Sequence, residues 1–212
     1  MPTDPAAAHP SDRRVRRARA TDLPLIATTL GRAFHDDPVW RYAIRRHDRF
    51  EERIGTIMGV VARLHMADSD TVWVAADGGA AAVWAPPGRW HLPPRRFATS
   101  APALLRSAGL RSVPHLRILS EMERRHPRRP EHWYLAILGT EPAAQGRGLG
   151  SAVMAPALAR CDREVVGAYL ESSKAENLPF YERHGFRLVD TIDLGRGAPP
   201  IFTMWRDPRP EG

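Results

Sequence analysis

Between Gln145 and Gly150 the chain reads Gln-Gly-Arg-Gly-Leu-Gly, and this short segment constrains the fold more than any other. It follows a strand-like apolar run, His132 to Gly139, and leads into a helical pattern from about Arg147 to Arg163. Glycine takes positive φ without steric cost, and it lets another group approach the backbone closely. A strand that enters a helix through such a turn offers successive main-chain N–H groups at a helix N-terminus, a place for a phosphate or pyrophosphate. Arg147 adds a charge-assisted contact. The spacing is Gly-x-Gly-x-Gly, which differs from the dinucleotide fingerprint Gly-x-Gly-x-x-Gly. No Lys-Ser or Lys-Thr follows, so it is not a Walker A loop. Glycines alone fit a flexible loop equally well, so the neighbouring elements have to decide.

Those elements alternate. After the glycine turn and its helix come a strand at Val165 to Glu171, a helix at Ala175 to His184, and strands at Arg187 to Asp193 and Ile201 to Arg206. Nearer the N-terminus, Val15 to Ala18 reads as a short first strand. Thr21 offers an N-cap to a helix carrying Leu23, Ile26, Leu30 and Phe34, which stops at His35-Asp36-Asp37-Pro38. A second helix runs from about Phe50 to Met66. Thr71 to Ala76 and Ala80 to Ala85 flank Asp77-Gly78-Gly79 as a hairpin. Residues 86–131 are too long for a structureless loop, and Leu104-Leu105 with Val113, Leu116, Leu119 and Met122 predict a helical insertion. We therefore expect one mixed α/β domain over residues 13–208, with a disordered tail at 1–12 and a short tail at 209–212.

Composition narrows the class. The chain has 212 residues, of which 43% are hydrophobic, so it can bury a core. It lacks the ~18 consecutive apolar residues of a membrane helix, and Met1 to Asp12 lacks the apolar stretch of a secretory signal. Cys161 is the only cysteine, which suits a reducing compartment and predicts a cytoplasmic protein. The net charge of +7 favours an anionic partner. Lys174 is the only lysine, however, and an arginine-rich, Ala- and Pro-rich chain matches the coding bias of a high-GC bacterial genome.

Two motifs carry a family resemblance. Gln145-x-x-Gly148-x-Gly150, after the strand Trp133 to Gly139, resembles the acetyl-CoA loop of the GNAT superfamily of N-acetyltransferases. The run Asn177-Leu-Pro-Phe-Tyr-Glu-Arg-His-Gly-Phe186 is similar to that superfamily's later helix and strand entry. Gly146 to Val153 and Leu170 to Phe186 are most similar to the puromycin N-acetyltransferase group, whereas the first half resembles it only loosely. The resemblance implies a mixed, mostly antiparallel twisted sheet flanked by helices. It implies acetyl-CoA as co-substrate, no metal, and direct transfer to a primary amine, that of a small molecule, in a ternary complex.

The resemblance also assigns roles. The strand before the loop splays from the next strand to admit the pantetheine arm, with Gly139 at the splay and Leu138 and Thr140 offering backbone partners. The amides of Gln145, Gly146, Arg147, Gly148, Leu149, Gly150 and Ser151 hold the pyrophosphate. Asn177 meets the pantetheine arm. Tyr181, four residues on and so on the same helical face, is the general acid that protonates the departing thiolate, as a phenol of ordinary pKa ~10 can.

The base that takes the amine's proton is less legible. Glu171 is the first candidate, Glu121 and Glu123 the second, and transfer to water a third. Asp36 and Asp37, with Glu123, are candidates for binding a cationic acceptor, although Asp-Asp-Pro is also ordinary turn chemistry. Trp84, Trp90 and Trp133 fit either an acceptor pocket or the core. Glu123-x-x-His126 is half of a di-iron carboxylate motif with no second half, so no metal is expected. Pro156 should kink its helix or leave a carbonyl unsatisfied. Two other classes remain: a basic nucleic-acid-binding module using Arg13 to Arg19, for which no helix-turn-helix, zinc or RNA-binding signature is seen, and a catalytically idle acyl-CoA-binding sensor.

Overall fold

The computed structural model describes residues 15–44, 48–68, 70–108, 113–195 and 197–209. Seven strands form one sheet: β1 (Val15–Arg17), β2 (Val72–Ala75), β3 (Ala80–Ala85), β4 (His132–Thr140), β5 (Gly167–Ser172), β6 (Arg187–Ile192) and β7 (Ile201–Arg206). They lie in the order β1-β2-β3-β4-β5-β7-β6. Every pairing is antiparallel except β4 with β5. The helices are α1 (Leu23–Ala33), α2 (Pro38–Ala43), α3 (Phe50–Asp68), α4 (Ala101–Ala108), α5 (Val113–Arg125), α6 (Leu149–Glu164) and α7 (Leu178–Arg183). The mixed α/β architecture expected from sequence is therefore present, with α4 and α5 supplying the insertion. None of the described helices is long and apolar enough to cross a membrane.

Alternation of side chains along the strands gives the sheet two apolar faces. On one, Trp84, Trp133, Leu135, Leu170 and Met204 pack against α6 through Leu149, Val153, Met154 and Ala157. On the other, Val72, Val74, Ala81, Val83 and Ile137 pack against Ile26 and Leu30 of α1 and Ile54, Ile57 and Met58 of α3. Trp84 and Trp133 are wholly buried, so the core reading of these two is the correct one. Cys161 is also core, and burial pushes its thiol up to about 12. Pro156 lies inside α6, which remains helical on both sides of it. A smaller cluster joins α2 and α5 to the β6–β7 end through Val39, Ala43, Ile118, Ile192 and Ile201.

Some boundaries moved for local reasons. Helix α1 starts one residue later than Thr21 implies. Asp22 occupies the N-cap, and its carboxylate accepts two bonds from Arg16 (2.6 and 2.8 Å) and one from the Arg19 N–H (2.7 Å). The glycine turn extends through Gly148, so α6 begins at Leu149. Helix α2 was not anticipated. Asp37, read as a turn residue, is its N-cap and accepts from the Trp40 N–H at 2.9 Å, with Pro38 at the first helical position. The expected tail at 1–12 and residues 210–212 of the other tail lie outside the described residues.

Helices α1 and α3 approach closely because glycines face each other. A Cβ on Gly31 would lie 2.3 Å from the Glu51 carbonyl oxygen, and one on Gly55 would lie 2.4 Å from that of Ala27. Backbone cannot yield as a flexible side chain can, so Gly31→Ala must push the helices apart. We expect a loss of about 2 kcal/mol in urea unfolding; an unchanged midpoint would contradict this packing.

Candidate functional site

The site begins where β4 and β5 part company. Their parallel register runs from His132↔Gly167 to Leu135↔Leu170 and stops, although β4 continues to Thr140 and β5 to Ser172. On its other edge β4 stays paired with β3 through Thr140, but with a register shift: Trp84 faces Leu135, Val83 faces Ile137, and Ala136 is the extra residue. A bulge bends its strand, and here it coincides with the end of the β4–β5 pairing. The splay therefore starts at Ala136, three residues before the predicted Gly139. Gly139 serves another end as well. A Cβ there would lie 2.7 Å from Leu30 Cδ2 and 2.9 Å from Ala33 Cβ, so its absence lets α1 lie close to the splayed strand.

A cavity of about 920 Å³ occupies this opening. Leu138, Gly139 and Thr140 of β4 line it, as do Gln145, Gly146, Gly148, Leu149, Gly150 and Ser151. Asn177, Phe180 and Tyr181 of the α7 region also line it, and Asp36 and Asp37 do so where they meet Lys174 and Ser173. Gly146 and Gly148 adopt φ of +74° and +78°, the left-handed region that favours glycine, which turns the chain into the α6 N-terminus. Arg147 differs from expectation: its side chain is exposed and does not line the cavity. Tyr181 is buried, and burial, followed by the nearby Asp37 charge, holds its phenol well above the ordinary value. It therefore keeps its proton at neutral pH.

The acidic candidates separate sharply. Asp37 is only 2% exposed, and its carboxylate accepts from the Trp40 N–H and from the Ser173 hydroxyl. Burial raises its pKa above the usual carboxylate range. Asp36 accepts from Lys174 Nζ at 2.5 Å. Glu123 does not join the cavity; it pairs with His91 at 3.0 Å on the surface. Glu121 is tied to Arg124 at 2.6 Å and Arg125 at 3.5 Å, and those bonds lower its pKa. Of the N-terminal basic run, Arg16 and Arg17 are held by Asp22 and Asp70, while Arg13 and Arg14 lie outside the described residues.

Glu171 is corrected in position: its side chain is 2% exposed and does not line the cavity. Oε2 accepts from the Tyr134 hydroxyl at 2.6 Å, a bond across the last paired rungs before the splay. Oε1 makes no hydrogen bond and faces His126 Nδ1 at 3.5 Å. A chain of bonds explains this. The Pro130 carbonyl can only accept, so His132 Nδ1, 2.9 Å away, carries a hydrogen. Burial keeps the His132 pKa below the usual value, so its Nε2 is an acceptor and His126 Nε2, at 3.0 Å, donates to it. That leaves His126 Nδ1 as the atom facing Glu171 Oε1. Trp90 stacks on the His126 ring at 3.9 Å, which answers the third tryptophan: it covers this buried pair.

An acetyltransferase (GNAT) domain model matches residues 118–188, which span α5, the splay, the glycine turn and α7. The chain is 28% identical over 208 residues, 92% of its length and 84% of the relative's, to an uncharacterized N-acetyltransferase of Schizosaccharomyces pombe. Among solved structures it resembles a histone acetyltransferase HPA2 and related acetyltransferase of Corynebacterium glutamicum, with TM-score 0.69, 25% identity, and 93% and 97% of the two chains covered. It shares the fold of a Drosophila melanogaster polyamine N-acetyltransferase, with TM-score 0.55, 17% identity, and 92% and 99% covered. The GNAT domain and these relatives support an acetyl-CoA-dependent N-acetyltransferase.

The residues lining the cavity fit that co-substrate. Left-handed glycines beside a helix N-terminus suit its pyrophosphate, and the unpaired edge of β4 suits its amide-bearing arm. Sequence reasoning missed Ser173, Lys174 and Phe180, which hold or line the same cavity; only the solitary lysine gave a signal. Gly148→Val forces a β-branched residue into left-handed φ. We expect acetyl-CoA affinity to fall at least about tenfold by calorimetry; wild-type affinity would remove the turn from the site.

Proposed function

We propose that the chain transfers the acetyl group of acetyl-CoA to the primary amine of a small molecule, by direct attack in a ternary complex. One observation carries this reading. Asp37 is a buried carboxylate on the wall of the cavity that the glycine turn and Tyr181 also line, and its own hydrogen bonds come from neutral donors. An ammonium entering there supplies the missing countercharge. The likeness of Gly146 to Val153 and Leu170 to Phe186 to the puromycin N-acetyltransferase group supports an antibiotic or secondary-metabolite amine as one such acceptor.

In this reading Asp37 anchors the ammonium and, with its raised pKa, takes one proton from it before attack, which leaves the neutral amine whose lone pair forms the N–C bond. The second N–H proton passes to the Tyr181 phenolate once that group has protonated the thiolate. Collapse of the tetrahedral species breaks the C–S bond, and Tyr181, still protonated, donates to the thiolate. Leu138, Gly139 and Thr140 hold the pantetheine arm, Asn177 meets it from α7, and residues 145–151 hold the pyrophosphate. Glu171, the first candidate for base, is assigned instead to holding β5 to β4 just before the splay.

Release of CoA thiol in the presence of an amine panel tests the reaction. Tyr181→Phe is expected to bind acetyl-CoA normally and lose about a hundredfold or more in kcat. Asp37→Asn should lose turnover with intact acetyl-CoA affinity. Glu171→Gln should keep both fold and turnover, because an amide can donate to His126 Nδ1 and accept from Tyr134. A turnover loss in Glu171→Gln as large as that in Asp37→Asn, without loss of stability, returns the base to Glu171. Wild-type turnover in Tyr181→Phe rejects the acid.

A further inference from the structure

The acceptor end of the cavity already holds a primary ammonium, and it belongs to the protein. Lys174, the only lysine of the chain, lies in the turn between β5 and α7. Its main chain is pinned by Ser172, whose hydroxyl donates to the Lys174 carbonyl at 3.0 Å. Its Nζ crosses to the loop after α1 and donates to Asp36 Oδ1 at 2.5 Å. That hydrogen bond is the main reason the Asp36 carboxyl sits below its ordinary pKa. The lysine side chain is 24% exposed and that of Asp36 54%.

Charges at this end can then be counted. Asp36 and Asp37 contribute two negative charges and Lys174 one positive, leaving one negative charge for an incoming acceptor. His35 directs Nδ1 at the Arg32 carbonyl, 2.9 Å away, and lies 3.8 Å from Asp36. Glu176 and Arg183, which also line the cavity, are exposed and opposite in sign, so they add nothing to the net count. Without Lys174 the same wall would present two adjacent carboxylates, a match for a dication.

We propose that Lys174 is a specificity-determining residue: by neutralising Asp36 it restricts the acceptor to amines carrying one positive charge and disfavours diamines and polyamines. This rests on the small-amine reading above. A dication brought to a site of single negative charge leaves one ammonium desolvated beside Lys174 without a partner, which is the repulsive half of specificity.

The test is a four-variant comparison of kcat/KM for n-butylamine and 1,4-diaminobutane at saturating acetyl-CoA. The wild type should favour the monoamine. Lys174→Met frees Asp36 and should move the diamine-to-monoamine ratio about tenfold toward the diamine, an effect that shrinks at high salt. Asp36→Asn leaves Lys174 unpaired beside Asp37 and should move the ratio the opposite way. The double variant, again with one net negative charge, should return near the wild-type ratio. An unmoved ratio in Lys174→Met overturns the proposal, as does a double variant impaired as much as both singles, which would mark a structural tie. Turnover with an unmoved ratio sinks this proposal alone, whereas acetyl-CoA binding with no turnover of any amine sinks the acceptor reading and this one with it.

Discussion

Beyond Leu135, strand β4 cannot stay hydrogen-bonded on both edges, and most of the site follows from that. The extra residue at Ala136 re-aims the strand while its pairing with β3 continues to Thr140. Partnership with β5 is what gives way. The separation costs main-chain hydrogen bonds that a sheet would otherwise make, and such groups need another partner. A ligand with its own amide groups is a natural one. The sheet therefore carries its binding requirement in its topology, before any side chain is considered.

Two buried polar arrangements hold the opening in shape. Beside the insertion, Tyr134 and Glu171 bridge β4 and β5 at the last rungs before they diverge, with His126 closing over them. On the cavity lining, Asp37 ties the start of α2 to Ser173 just after β5, a contact between segments far apart in sequence. The insertion and the first helices thus both act on the splay. Each arrangement is satisfied almost entirely by neighbours inside the protein, which favours a single geometry over a range of openings.

Much of this was legible in the chain because the strongest signals are local. The hairpin at Asp77-Gly78-Gly79, the strand at Ile201 to Arg206 and the glycine turn are each set by periodicity or by backbone preference, and they appear where expected. The family resemblance pointed to Leu138, Gly139, Thr140, the stretch from Gln145 to Ser151, Asn177 and Tyr181, all of which line the cavity except Arg147. What stayed hidden depends on distant parts of the chain. Asp37 looked like a turn residue until Ser173, 136 positions away, was brought beside it. Glu171 looked like a base at a strand end, and only the packing of α5 shows that its carboxylate is enclosed. Helix α2 is six residues long, too short to leave a periodic trace.

Cys161 has a consequence for how the protein can be studied. It is the single thiol of the chain, completely buried on the core side of α6, and almost wholly un-ionised at neutral pH because burial pushes it to about 12. The folded chain should thus be silent toward thiol-reactive dyes. Colour that develops during acetyl transfer reports released CoA alone, and a slow extra equivalent per chain would be a built-in alarm for unfolding.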